Sequence, residues 1–209
     1  MQTYEKNPDA IYAKSFAIIR QEANFSRFSV GEAHVAERII HSCGMVDAAD
    51  DLVFSESTAE AGRAALLGGA PVICDAEMVK HGVIRRLLPK QSDVICMLSD
   101  PRVLDIVKAQ ETTRSAAQVE LWREHLLGAI IAIGNAPTAL FKLLELLDNS
   151  APKPALILGF PVGFVGAAES KAELIANARG VPFIAIKGRR GGSAMAAAAV
   201  NALAIGWDK

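Results

Sequence analysis

The chain has 209 residues, of which 51% are hydrophobic and 22% charged, and its formal net charge is −1. That length suits one domain, residues 1–209, with a core large enough to need no disulfide or metal staples. The near-neutral charge, with no long run of one sign, argues against a dedicated nucleic-acid surface and against a polybasic membrane anchor.

Residues 8–24 read as a helix, with Ile11, Ala13, Phe16, Ile18 and Ile19 roughly on a helical period. Ser29 and Glu32 form a capping-box signal. The helix they start runs to about residue 42, burying Ala33, Ala36, Ile39 and Ile40, and Gly44 supplies its stop. A third helix covers 56–67 and ends at Gly68-Gly69. Beyond it, short apolar runs alternate with amphipathic stretches. Strands are expected at 71–74, 94–98, 155–160 and 182–186, with 129–133 either a further strand or a continuation of the helix before it. Helices are expected at 101–109, 113–126, 137–148, 168–178 and 192–204, with Asp100-Pro101 and Pro137 as starts. The alternation predicts a three-layer α/β/α sandwich with a mostly parallel sheet of about five strands, preceded by N-terminal helices. Ligands in such folds bind where the carboxyl ends of the strands open into loops.

Three of those loops are rich in small residues: Gly134-Asn135-Ala136-Pro137-Thr138, the stretch from Gly159 through Gly163 and Gly166 to Lys171, and Lys187-Gly188-Arg189-Arg190-Gly191-Gly192-Ser193. Each puts backbone amides near a helix start, a setting for anionic groups, or else simply makes a tight turn. None is a nucleotide fingerprint, since Gly159, Gly163 and Gly166 do not make G-x-G-x-x-G and no G-K-[ST] is present. Arg189, Arg190 and Lys187 either add positive charge to the site or form a solvated cluster.

His34 and His41 share a helix face but lie roughly 10 Å apart along the axis, too far to ligate one metal ion. His34, near the helix start, is expected to be exposed. His81 and His125 have no informative neighbours. His41 ends its helix, where the dipole favours a cation, and an imidazole can donate and recover a proton near neutrality. It is either an acid–base group or an ordinary capping histidine. Asp75 and Glu77 orient a ligand, or Asp75 only caps a helix. Arg114 clamps a carboxylate or pairs with Glu111. Ser15 by itself reads as a solvent-facing hydroxyl. Cys43, Cys74 and Cys96 are odd in number and lack C-x-x-C spacing. With no signal-peptide core and no stretch able to span a bilayer, they read as free thiols of a soluble cytoplasmic protein.

Taken together, Arg38-Ile39-Ile40-His41-Ser42-Cys43-Gly44, Ile73-Cys74-Asp75-Ala76-Glu77-Met78-Val79, Thr113-Arg114-Ser115-Ala116, Ala132-Ile133-Gly134-Asn135-Ala136-Pro137-Thr138, Gly163-Phe164-Val165-Gly166-Ala167-Ala168-Glu169-Ser170-Lys171 and Gly191-Gly192-Ser193-Ala194-Met195 resemble the precorrin-8X methylmutase family, which has a cobalt-precorrin-8 form. The resemblance runs from about residue 8 to residue 204. It implies a late step of cobalamin synthesis, in which a methyl group moves from C-11 to C-12 of the macrocycle to give hydrogenobyrinate or its cobalt form, cobyrinate. It further implies a homodimer with its active site near the interface, working without cofactor or catalytic metal. His41 matches the group that protonates the macrocycle, and Ser15 and Arg114 match substrate contacts. Asn135, Gly163, Gly166, Arg189, Gly191, Gly192 and Ser193, on the three loops, are the further expected binding residues for a polycarboxylate ligand. A rearrangement within one molecule needs a proton shuttle and tight positioning rather than a nucleophile. The rival readings are a non-catalytic corrinoid carrier and a nucleotide-dependent α/β enzyme.

Overall fold

A computed structural model describes residues 4–207 of the chain. Asn7 opens α1 (Pro8–Glu22) by accepting the amides of Asp9 and Ala10 at 2.9 and 3.2 Å. The capping box of Ser29 and Glu32 starts α2 (Val30–Cys43), and Gly44, left-handed at φ 70°, ends it. There follow α3 (Ala48–Asp51), β1 (Leu52–Phe54), α4 (Thr58–Leu67), β2 (Val72–Cys74), α5 (Glu77–Gly82), β3 (Val94–Cys96), α6 (Arg102–Gln110) and α7 (Arg114–Trp122). The chain continues through β4 (Ile130–Ile133), α8 (Pro137–Asp148), β5 (Leu156–Gly159), α9 (Ala167–Ala176), β6 (Phe183–Ile186) and α10 (Ser193–Ile205).

The sheet has six strands in the order β1-β6-β5-β4-β2-β3. All neighbours are parallel except β1, which runs antiparallel on the β6 edge with Leu52 opposite Ile186. The five expected strands are all present. The sixth, β1, escaped the pattern because its Leu-Val-Phe is closed in by Asp50-Asp51 and Ser55-Glu56, whereas β2 and β3, equally short, sit in longer apolar runs. The segment 129–133 is a strand, and the helix before it ends earlier, at Trp122. The short α3 and α5 were not expected either; at four and six residues they have too few turns to show a period.

The central strands are apolar throughout because helices cover both faces. Ile130, Ala132, Leu156 and Leu158 face a core shared with α2, α4, α5 and α10. Ile131, Ile133 and Ile157 face the opposite core, with α7, α8 and α9. Among the described residues the most extensive helix pairing is α10 on α2. The two are antiparallel: Gly31, at the start of α2, lies against Trp207, just past the end of α10. The carboxyl end of α2, which carries His41, is therefore at the same end of the molecule as the β6–α10 loop.

α1 lies outside α2 and buries only Phe16 and Ile19, leaving Ile11, Ala13 and Ile18 exposed. Two burial expectations need correction. Ala33 of α2 is only partly buried. His34 is half-buried rather than exposed, since its ring lies 6.2 Å from that of Trp207, which comes from the far end of the sequence.

Candidate active site

Tyr12, Ser15, Phe16 and Ile19 are spaced to share one face of α1, and His34, Arg38 and His41 share a face of α2. The two helices are tied by Arg20, whose guanidinium donates to both Glu37 oxygens at 2.7 and 3.1 Å. Arg38 Nη1 donates to the Tyr12 hydroxyl at 2.5 Å. This seam seats His41. Its Nδ1 is 2.9 Å from Ser15 Oγ. Its ring stacks on Phe16 at 5.0 Å between centroids and meets Tyr12 edge-on at 5.6 Å. Among the described residues no hydrogen-bond partner reaches Nε2, and the residue is exposed. Ser15, Ile18, Ile40, His41, Gly44 and Val46 line a depression of about 220 Å³.

The imidazole is thus held on one nitrogen and presented on the other. Where Nδ1 carries its proton to Ser15 Oγ, Nε2 is the nitrogen with a lone pair or proton to exchange. Two of the expected site residues, Ser15 and His41, are brought into direct contact although they are 26 positions apart. Tyr12 and Phe16, which hold the ring, were not singled out from the sequence. The signal was the i, i+3, i+4, i+7 run through Ser15.

The other expected residues gather at the carboxyl ends of the strands. The loops after β4, β5 and β6 are laced together: Phe160 N donates to Ile133 O at 2.8 Å, Gly192 N to Phe160 O at 2.8 Å, and Gly163 N to Arg189 O at 3.2 Å. Gly191 permits the closest approach, since a Cβ there would stand 2.4 Å from Phe160 O and 2.5 Å from Pro161 O. Gly166, at φ 79°, lies against Pro137 and Phe141 of α8. The amides of Gly134, Asn135 and Ala136 all donate to the buried Asp75 carboxylate, at 2.8, 3.0 and 2.7 Å. Asp75 therefore fixes the loop that leads into α8, accepting from the three amides before the helix and from none within it. It does not cap α5, the helix that follows it in sequence, which has no side-chain cap. Burial pushes its carboxyl up, and the three amides pull it back. Asn135 and Arg189 are exposed on these loops, Ser193 is partly buried, and a Cβ at Gly163 or Gly192 would meet nothing within 4 Å.

Arg189 and Arg190 part company. Arg190 donates to Asp47 at 2.7 Å and to Asp51, so its guanidinium is taken up within the protein. Arg189 is exposed, its guanidinium carbon 5.4 Å from the Phe164 ring centroid. Arg114, at the start of α7, does not pair with Glu111 among the described ion pairs; its Nη2 donates to Leu98 O at 2.8 Å. Thr113, the α7 cap, bonds Thr138 of α8 at 2.9 Å, so Arg114 also belongs to the carboxyl edge. It lies on the α7–α8 face of the sheet, however, and His41 on the α2–α10 face. A single chain brings Ser15 to His41 but not Arg114 to His41.

A protein-family model described as precorrin-8X methylmutase matches residues 10–205. The chain is 58% identical over 204 residues to the precorrin-8X methylmutase of Pseudomonas aeruginosa, covering 98% of each. It is 36% identical over 199 residues to the cobalt-precorrin-8 methylmutase of Priestia megaterium, covering 95% of this chain and 88% of that relative. The crystal structure of a precorrin-8X methyl mutase from Thermus thermophilus matches with a TM-score of 0.85 at 38% identity, covering 94% of this chain and 95% of that one.

Proposed function

Since the chain belongs to the precorrin-8X methylmutase family, we propose that it isomerises precorrin-8X in cobalamin biosynthesis, moving a methyl group from C-11 to C-12 to give hydrogenobyrinate, with His41 as the acid–base group. The observation that carries the assignment of His41 is the Ser15–His41 pair, which lines a depression together with Ile18, Ile40, Val46 and the acidic Glu22. The reaction conserves every atom of the substrate. In the imidazolium form, Nε2–H gives its proton to the bound macrocycle, the methyl group migrates, and Nε2 takes the proton back. Throughout, Ser15 Oγ accepts from Nδ1–H and holds the ring, so no second base is needed. The chemistry asks for no cofactor or metal.

The metal-free substrate is preferred because relatives named precorrin-8X methylmutase reach 58% identity, against 36% for the cobalt-precorrin-8 enzyme of Priestia megaterium. Arg189, Arg114, Asn135 and Ser193 are the proposed partners of the substrate's carboxylate arms, with Gly163, Gly166, Gly191 and Gly192 shaping the loops around them. Two copies of the chain are proposed to complete the site. A depression of about 220 Å³ falls below the usual range for ligand pockets, and His41 and Arg114 lie on opposite faces of one sheet. We read the whole chain as one catalytic domain, and its three free thiols support a cytoplasmic setting.

His41→Asn tests the central role, with conversion followed by visible spectrum. The expected loss in kcat is about 100-fold or more, with hydrogenobyrinate still bound. Conversion at the wild-type rate would show that His41 is not the acid–base group, and loss of pigment binding would make it a binding residue.

A further inference from the structure

Lys171, in the second turn of α9, is fully buried. An ammonium is an expensive group to bury, and a methionine would fill the same space without that cost. Burial pushes the amine down to about 8, and the charge of Asp51 partly offsets it. What only the amino group supplies is a hydrogen bond to the main-chain oxygen of Arg190. The Arg190 side chain turns the other way and bridges Asp47 and Asp51, which stand on the segment between α2 and β1. Asp51 is tied in again through its own carbonyl, which accepts Lys187 N at 2.9 Å. One residue of the β6–α10 loop is therefore gripped by its carbonyl from α9 and by its guanidinium from the segment that follows His41.

This grip decides which of two adjacent arginines points outward. With Arg190 drawn in, Arg189 projects to the surface beside Phe164, on the edge where the expected binding loops meet. Main-chain bonds flank the same point, from Gly163 N to Arg189 O and from Gly192 N to Phe160 O. They hold the backbone but do not choose the direction of either side chain.

We propose that Lys171, Arg190, Asp47 and Asp51 form a clamp that sets the β6–α10 loop so that Arg189 meets a carboxylate of the substrate, making Lys171 a positioning residue for binding. This rests on the functional reading above. His41 has its own supports in Ser15 and Phe16, so the clamp bears on KM and leaves kcat alone.

The test is a cycle of Lys171→Met, Arg189→Ala and the double variant, assayed with precorrin-8X. Each single variant should raise KM about tenfold, the scale of one charge-assisted hydrogen bond, with kcat within about twofold of wild type. The double variant should be no worse than Arg189→Ala alone, because Lys171 acts through Arg189. KM effects that multiply, or an unchanged KM in Lys171→Met, would overturn the proposal. If Lys171→Met does not fold, Asp47→Asn opens the clamp from its exposed side, and the same cycle is read with it. Wild-type protein that leaves precorrin-8X unconverted would overturn the functional reading itself, an outcome distinct from failure of the cycle.

Discussion

His34 and His41 project from the same face of α2 on either side of Arg38, and their surroundings separate them. Arg38 Nε approaches His34 Nε2 at 3.4 Å, so that nitrogen accepts. Burial pushes the His34 pKa down, and the Arg38 charge adds to the effect. A base with a lowered folded pKa is protonated first in the unfolded chain. The stability that neutral His34 contributes is present above its unfolded value, about 6.5, and is lost as pH falls through that value toward the folded one. Urea unfolding midpoints from about pH 8 to about pH 5 should fall more steeply for wild type than for His34→Gln, whose amide oxygen still accepts from Arg38. Equal slopes would place the acid sensitivity elsewhere.

At the scale of elements, α8 depends on Asp75. Its start carries no side-chain cap of its own, and Pro137 stands in the first turn. The amides just before it are instead satisfied by a carboxylate that ends β2, a neighbouring strand 59 to 61 residues earlier. Gln118 of α7 donates to the Asp75 carbonyl at 2.7 Å, drawing a third element to the same point. Asp75→Ala strands buried donors and should cost about 3 kcal/mol or more in denaturant unfolding. Asp75→Asn keeps one acceptor oxygen and should cost about half of that. A loss below about 0.5 kcal/mol for Asp75→Ala would show that water replaces the carboxylate.

For the molecule as a whole, the strand order separates the binding groups. Four inter-strand steps lie between β6, which leads to Arg189, and β3, which leads to the Leu98 carbonyl that holds Arg114. At about 4.8 Å per step this is roughly 19 Å. Exposed apolar side chains include Ile11 and Ile18 of α1, and Phe164 at 83% and Val165 at 89% exposure on the loop after β5. If two chains build each site, with His41 from one and Arg114 from the other, mixing inactive His41→Ala with the weakly binding Arg114→Ala should, at low substrate, give more conversion than either variant alone. A mixed dimer would then hold one intact site, and random pairing puts half of the dimers in that form. No such gain, with mixed dimers demonstrated by mass, would place both residues in the same chain's site.

The layered α/β architecture and four of the six strands were legible in the sequence, with 129–133 left open between strand and helix. The sequence also carried the capping box of α2, the stop at Gly44, and the family, through motifs spread over the chain. These are local signals: a cap, a turn or a buried strand writes its requirement into a few adjacent residues. The partners were not legible. Ser15 looked like a surface hydroxyl until α1 folded across α2 and set it on His41. Asp75 was open between ligand group and cap until the β2–β4 pairing carried it under α8. Arg189 and Arg190 were one basic pair until Asp47 and Asp51, some 140 positions earlier, took the second of them. Only tertiary structure decides such matters, because a buried charge or hydrogen-bonding group is satisfied by whatever the fold brings within about 3 Å, at any distance along the chain.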